Sequence, residues 1–140
     1  MTSETEKLIE RLEKATGPDR ELDFWLTVLV HEPAPAEDLA AVRRDLEQLG
    51  VEGMHVEAPY TGSLGDVVTL AKRKGFYIRS EPRFHIDGER VDFISYALRP
   101  RWDVWMPDDE WFDRGEGRHA DQTISALIAL LSALETSHDQ

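Results

Sequence analysis

The chain has 140 residues, enough for one domain with a buried core. Hydrophobic residues make up 41% and charged residues 31%, an ordinary globular composition that excludes global disorder. No apolar run approaches the ~18 residues of a membrane helix, and the lack of cysteine excludes a disulfide scaffold and any thiolate metal site. The polar opening Met1-Thr2-Ser3-Glu4-Thr5-Glu6-Lys7 is unlike a signal or transit peptide, so a cytoplasmic address is expected.

Net charge is −12, a poor match to duplex nucleic acid, whose phosphates must be met by Lys and Arg. The charge is unevenly spread. Residues 1–50 carry −6, 51–71 carry −3 and 102–140 carry −7, whereas residues 72–101 carry +4. One basic segment lies inside an acidic protein.

In chain order, a first helix is expected from Thr2 to Ala15, with Leu8, Ile9 and Leu12 as its apolar stripe. Gly17-Pro18 ends it and starts a second, Asp19 to His31, which is nearly apolar all round after Asp23. That pattern reads as a buried helix or as a helix with a strand at its end. Pro33-Ala34-Pro35 is a break, and Ala36–Leu49 a third helix closed by Gly50. Ser63 is the expected N-cap of a fourth, running to Gly75.

The period then switches from 3.6 to 2. Phe76, Ile78, Phe84 and Ile86 alternate with Tyr77, Arg79, Glu81, Arg83 and His85, as in a half-buried strand, and Pro82 places that strand at an edge or a bulge. Asp87-Gly88 signals a two-residue hairpin, and Val91–Leu98, apolar on both parities, a central strand. Arg101–Met106 reads as a third strand and Asp108–Gly117 as an acidic loop. A long C-terminal helix with Ile124, Leu127, Ile128, Leu131 and Leu134 follows an Asp121 N-cap. The expected fold is α+β: a three-stranded antiparallel meander sandwiched by helices, with N-terminal helices and a long C-terminal helix. The chain is read as a single domain over 1–140, with helix 1–16 at its periphery.

No catalytic constellation stands out. His31, His55, His85, His119 and His138 share no ligand spacing, so no metal or cofactor is expected; a loose site at His119 and Asp121 reads equally as a solvated loop. The carboxylates Asp108, Asp109, Glu110, Asp113 and Glu116 read as general acid–base groups or as a solvated loop. Thr61-Gly62-Ser63 before a helix resembles an anion cradle without being a phosphate-binding loop, and reads equally as a plain capped helix. Arg118 in the glycine-rich run before the last helix offers a second anion site, or only a loop. Arg79, Arg83, Arg90, Arg99 and Arg101 lie among Tyr77, Phe84, Tyr96, Trp102 and Trp105. Arginine beside aromatic rings suits a nucleotide, with forks for phosphate and planes for a base. The same residues also fit an exposed sheet face backed by an aromatic core.

The segment Leu8-Ile9-Glu10-Arg11-Leu12-Glu13-Lys14-Ala15-Thr16-Gly17-Pro18-Asp19-Arg20-Glu21-Leu22-Asp23 resembles the opening of a family of small phage and prophage proteins described as carrying a phage ABA-sandwich domain. Tyr60-Thr61-Gly62-Ser63-Leu64-Gly65-Asp66-Val67-Val68-Thr69-Leu70 is similar to that family's internal segment, in which Tyr-Thr-x-Ser opens a helix. The C-terminal helix after a Gly/Glu-rich loop matches in pattern. The resemblance covers roughly a third of the chain. The chain departs from the family in its Trp-rich stretch after Pro100 and in the Ala/Glu/Arg-rich helix before Tyr60.

Proteins of this size and kind are associated with phage anti-defence sponges of the anti-Thoeris and anti-CBASS type, which sequester cyclic nucleotide or cyclic ADP-ribose immune signals. The resemblance points to binding of a small anionic nucleotide; the lack of a catalytic constellation fits binding without turnover, and a homo-oligomer is expected because one small domain rarely encloses such a ligand by itself. Tyr60, Thr61 and Ser63 are the expected wall of its site, Arg79, Arg83 and Phe84 its phosphate and base contacts, and Arg118 its closure. The alternative is an acidic inhibitor of a host nuclease or defence protein, acting through the 108–116 carboxylates beside Trp105 and Trp111.

Overall fold

The structure, a computed structural model, describes residues 3–99 and 112–138. Helix α1 (Glu4–Lys14) is followed by α2 (Arg20–Leu26), which continues into a π-helical turn (Thr27–His31). A 3-10 turn (Ala36–Asp38) leads into α3 (Leu39–Leu49). Two more, Val51–Gly53 and Tyr60–Gly62, precede α4 (Leu64–Arg73). Strands β1 (Tyr77–Phe84), β2 (Arg90–Arg99) and β3 (Phe112–His119) and helix α5 (Gln122–His138) complete the order. The fold is α+β, with one antiparallel sheet in the order β1-β2-β3 and α5 packed against it. Among the described residues no helix is long and apolar enough to cross a membrane.

Four helices start where a short polar side chain can hold a free backbone N–H. The Ser3 hydroxyl accepts from Glu6, the Asp19 carboxylate from Leu22, the Ser63 hydroxyl from Asp66 and the Asp121 carboxylate from Thr123 and Ile124. Each such cap contributes about 1 kcal/mol. Gly50 closes α3 with a φ of 72°, a conformation open to glycine.

Helix α5 is the centre of the core. Every residue from 124 to 131 is buried, which is why its sequence is apolar on all sides rather than along one stripe. The sheet lies against one side and α1 and α4 against others. Leu8 and Leu12 of α1, Leu22, Phe24 and Leu26 of α2, and Val67, Leu70 and Ala71 of α4 join the same cluster. The N-terminal helix thus reaches the core through Leu8 and Leu12, while Glu6, Lys7, Glu10, Arg11, Glu13 and Lys14 stay exposed.

The sheet approaches α5 closely because β3 has no side chains where they meet. A Cβ on Gly115 would lie 2.1 Å from the Ala129 carbonyl oxygen, and one on Gly117 2.3 Å from that of Ser125. Residues two apart in a strand point to one face, so this pair opens a groove that seats the helix. Three hydroxyls line the seam: Ser125 donates to Ser95 at 2.7 Å and lies 3.0 Å from the Gly117 carbonyl, while Ser80 and Ser95 are 2.7 Å apart.

Several local expectations are corrected. The stretch 112–117, expected within an acidic loop, and the glycine-rich run after it form strand β3 up to His119. The hairpin loop has three residues rather than two: the His85 N–H donates to the Glu89 carbonyl, the Gly88 N–H to that of His85, and Gly88 has a φ of 92°. That is a turn followed by a left-handed glycine. The register slips between Arg83 and Phe84, next to Pro82 on the edge strand. Phe84 and Ile86, expected on the buried parity, are consequently exposed. The strand expected over Arg101–Met106 lies outside the described residues.

Candidate functional site

Strand parity sorts the basic segment onto one face of the sheet. Ile78, Ser80, Ser95, Ala97, Gly115 and Gly117 turn toward α5, so the residues between them turn away. Across this outer face Arg79 stands opposite Tyr96, which stands opposite Glu116; Glu81 stands opposite Ile94, which stands opposite Arg118; and Arg83 stands opposite Asp92. The Arg79 guanidinium lies over the Tyr96 ring, 5.1 Å from its centroid. Ile94 and Leu98 on this face are buried, and the side chains of Arg79 and Arg118 are about half exposed.

Each arginine has a carboxylate beside it, and the pairs differ in quality. Arg79 Nε is 3.6 Å from Glu81, and Arg118 Nη2 is 3.4 Å from Glu116. Exposed single contacts of that length are worth at most about 1 kcal/mol. Arg83 instead grips Asp92 through two bonds, at 2.6 and 3.1 Å. That grip holds the Asp92 carboxyl below its ordinary range and raises the guanidinium above its own. A carboxyl held low adds stability that is complete above its unfolded value of 3.8 and is lost as pH falls through the lowered one. Asp92→Asn is therefore expected to lower Tm by roughly 1–3 °C at pH 7 and by less at pH 2. An equal loss at both pH values would mean that the side chain acts by packing alone.

Tyr60, Thr61 and Ser63 lie elsewhere, on the helical side of the molecule, where their 3-10 turn contacts α2, α4 and α5. Thr61 is fully buried: its N–H and hydroxyl both donate to the Asp23 carboxylate, each at 2.7 Å, and its oxygen accepts from the Asp19 N–H at 2.7 Å. Burial raises the Asp23 carboxyl despite those bonds. Ser63 is engaged as the cap of α4. The structure thus gathers Arg79, Arg83 and Arg118 on one face and places Tyr60, Thr61 and Ser63 apart from them; Phe84 is exposed at the end of β1.

Tyr60 belongs to a second cluster that the sequence did not single out. Its hydroxyl is 2.8 Å from His31 Nδ1, and burial pushes the phenol above its usual value. Arg73 Nη1 is 2.7 Å from His31 Nδ1 and 2.8 Å from Nε2. The guanidinium can only donate, so a ring nitrogen of His31 accepts from it. Glu57 is 3.7 Å from His31 and 3.1 Å from His55. The π turn sets this geometry. The Thr27 hydroxyl donates to the Asp23 carbonyl and accepts from the Glu57 N–H, and the Glu32 N–H reaches back five residues to the Thr27 carbonyl. The extra residue in that turn shifts His31 out of ordinary helical phase, so no 3.6-residue pattern could place it. Among the described residues no group of three His, Asp or Glu is arranged to hold a metal ion.

No protein-family model, no curated protein and no solved structure matches this chain.

Proposed function

We propose that the protein binds a small anionic nucleotide and sequesters it without cleavage, as a phage anti-defence sponge for a cyclic nucleotide or cyclic ADP-ribose immune signal in the host cytoplasm. The observation that carries this reading is the Arg79–Tyr96 stack at the middle of the outer sheet face, flanked by Arg118 and Arg83. A stacked guanidinium and phenol ring offer a plane to a base, and guanidinium forks offer paired N–H donors to phosphate. The weak partners Glu81 and Glu116 cost little to displace, which makes Arg79 and Arg118 the phosphate ligands. Arg83 stays with Asp92 and holds the neighbouring backbone in place. A sheet face is shallow, so this reading expects a second copy of the chain to enclose the ligand.

The test is to incubate the protein with a panel of cyclic nucleotides and cyclic ADP-ribose isomers, filter, denature the retained protein, and chromatograph what is released. The expected result is one signal that leaves solution and returns intact, with Arg79→Gln and Arg118→Gln each weakening its retention at least tenfold. If a signal is consumed and a new product appears, the protein is an enzyme. If every signal stays free and a salt-sensitive host protein is captured instead, the chain is an acidic inhibitor. Either result overturns the sponge.

A further inference from the structure

The helical side of the molecule holds a divided cleft, independent of the arginine face. One half, about 260 Å³, has Phe24, Val28, Val42 and Met54 as its apolar walls. The other half, about 200 Å³, is lined by Tyr60 and by Asp66, Thr69, Leu70 and Arg73 of α4. His31 and Glu57 border both halves and stand between them.

Positions 66, 69, 70 and 73 fall at i, i+3, i+4 and i+7, so one stripe of α4 forms the wall of the polar half. Its two ends carry opposite charges two helical turns apart, about 10 Å along the axis. The charges do not pair. Arg73 directs Nη1 at His31, and the Asp66 carboxylate has no hydrogen-bond or ion-pair partner among the described residues. Thus a cation with further N–H donors and an unpartnered carboxylate line the same small cavity, with an apolar chamber next door. Around the whole cleft, Glu32, Glu57 and Asp66 outnumber Arg73, which disfavours an anion; the guanidinium in turn disfavours a simple amine.

We infer that this cleft binds a free α-amino acid with an apolar side chain. Its carboxylate sits on the Arg73 guanidinium, its ammonium sits between Asp66 and Glu57, and its side chain passes His31 into the chamber of Phe24, Val28, Val42 and Met54. Such a zwitterion brings both charges and no net charge, and its side chain removes apolar surface from water at about 25 cal/mol per Å².

The experiment is calorimetric titration of the intact protein with leucine, methionine, phenylalanine and glycine, together with isoamylamine and isocaproate as half-molecules of leucine. At least one of the three apolar amino acids is expected to bind, with glycine, the amine and the acid each at least tenfold weaker. Arg73→Met and Asp66→Asn are each expected to weaken that binding at least tenfold. Their ligand-free Tm should stay near wild type, because Arg73 is exposed and Asp66 is half-buried. Arg79→Gln, which tests the nucleotide site, is expected to leave amino-acid binding unchanged, so the two readings stand or fall separately. The inference is overturned if no amino acid gives heat, if isoamylamine binds as well as leucine, or if Arg73→Met binds as wild type does.

Discussion

Gly115→Ala and Gly117→Ala are each expected to destabilise the fold by about 3 kcal/mol or more, enough to leave much of the chain unfolded at 37 °C. The added carbon on residue 115 would meet the Ala129 oxygen at 2.1 Å and the Ala133 nitrogen at 2.4 Å; on residue 117 it would meet the Ser125 oxygen at 2.3 Å and the Ala129 nitrogen at 2.6 Å. These are backbone atoms of the central helix, so no side-chain rotation relieves the clash. The sheet and α5 would have to separate, opening the seam that Ser80, Ser95 and Ser125 close. Gly65→Ala is the control, since nothing lies within 4 Å of the position and it sits in the first turn of α4. It is expected to be neutral or stabilising by up to about 1 kcal/mol. Urea unfolding of the three variants measures this; losses below 1 kcal/mol at both 115 and 117 would refute the close approach of strand and helix.

The same glycines explain why β3 was hidden in the sequence. Glycine has low strand propensity, and Gly-Glu-Gly among charged residues carries the local signature of a loop. What makes it a strand is a helix packed on one face, and that demand comes from residues 125–133. The exposed parity of β1 was legible, because Arg79, Glu81 and Arg83 alternate with Ile78 and Ser80 whatever the strand packs on. Its continuation to Phe84 and Ile86 was not, because the register slip beside Pro82 and the three-residue loop depend on pairing with β2. Helix starts were readable at Ser63 and Asp121 because a cap is a contact over two or three residues. The His31 cluster draws on residues 26 to 42 positions apart, held by a π turn that Thr27 stabilises through Glu57. The arginines of the outer face were singled out as a group, but the separation of Tyr60, Thr61 and Ser63 from them follows from where α5 runs.

Thr61 shows how much the partners of a polar residue can matter. Read as a ligand wall, its removal would cost binding and leave the fold alone; the structure makes it the partner of a buried carboxylate. Thr61→Val keeps the shape and the N–H bond to Asp23 but deletes the hydroxyl that donates to Asp23 and accepts from the Asp19 N–H. The loss is expected to be about 1–3 kcal/mol at pH 7, since the buried Asp23 carboxylate keeps one bond fewer and the Asp19 N–H loses its acceptor. Thr61→Ser, which keeps the hydroxyl and removes one methyl, should cost only about 1 kcal/mol. The pH dependence follows from Asp23. Burial raises its carboxyl above the ordinary 3.8, so the folded chain holds the proton to higher pH than the unfolded one. The stability this gives is complete below 3.8 and is lost as pH rises through the raised value. Deleting the Thr61 hydroxyl removes an interaction that lowers this carboxyl, so it raises the folded value further. The deficit of Thr61→Val should therefore be larger at pH 7 than at pH 4.5. Urea unfolding at the two pH values measures it. A valine variant as stable as the serine variant at pH 7 would mean that the Asp23 carboxylate does not depend on the Thr61 hydroxyl, and the Thr61 N–H would be its anchor on the turn that carries Tyr60 to His31.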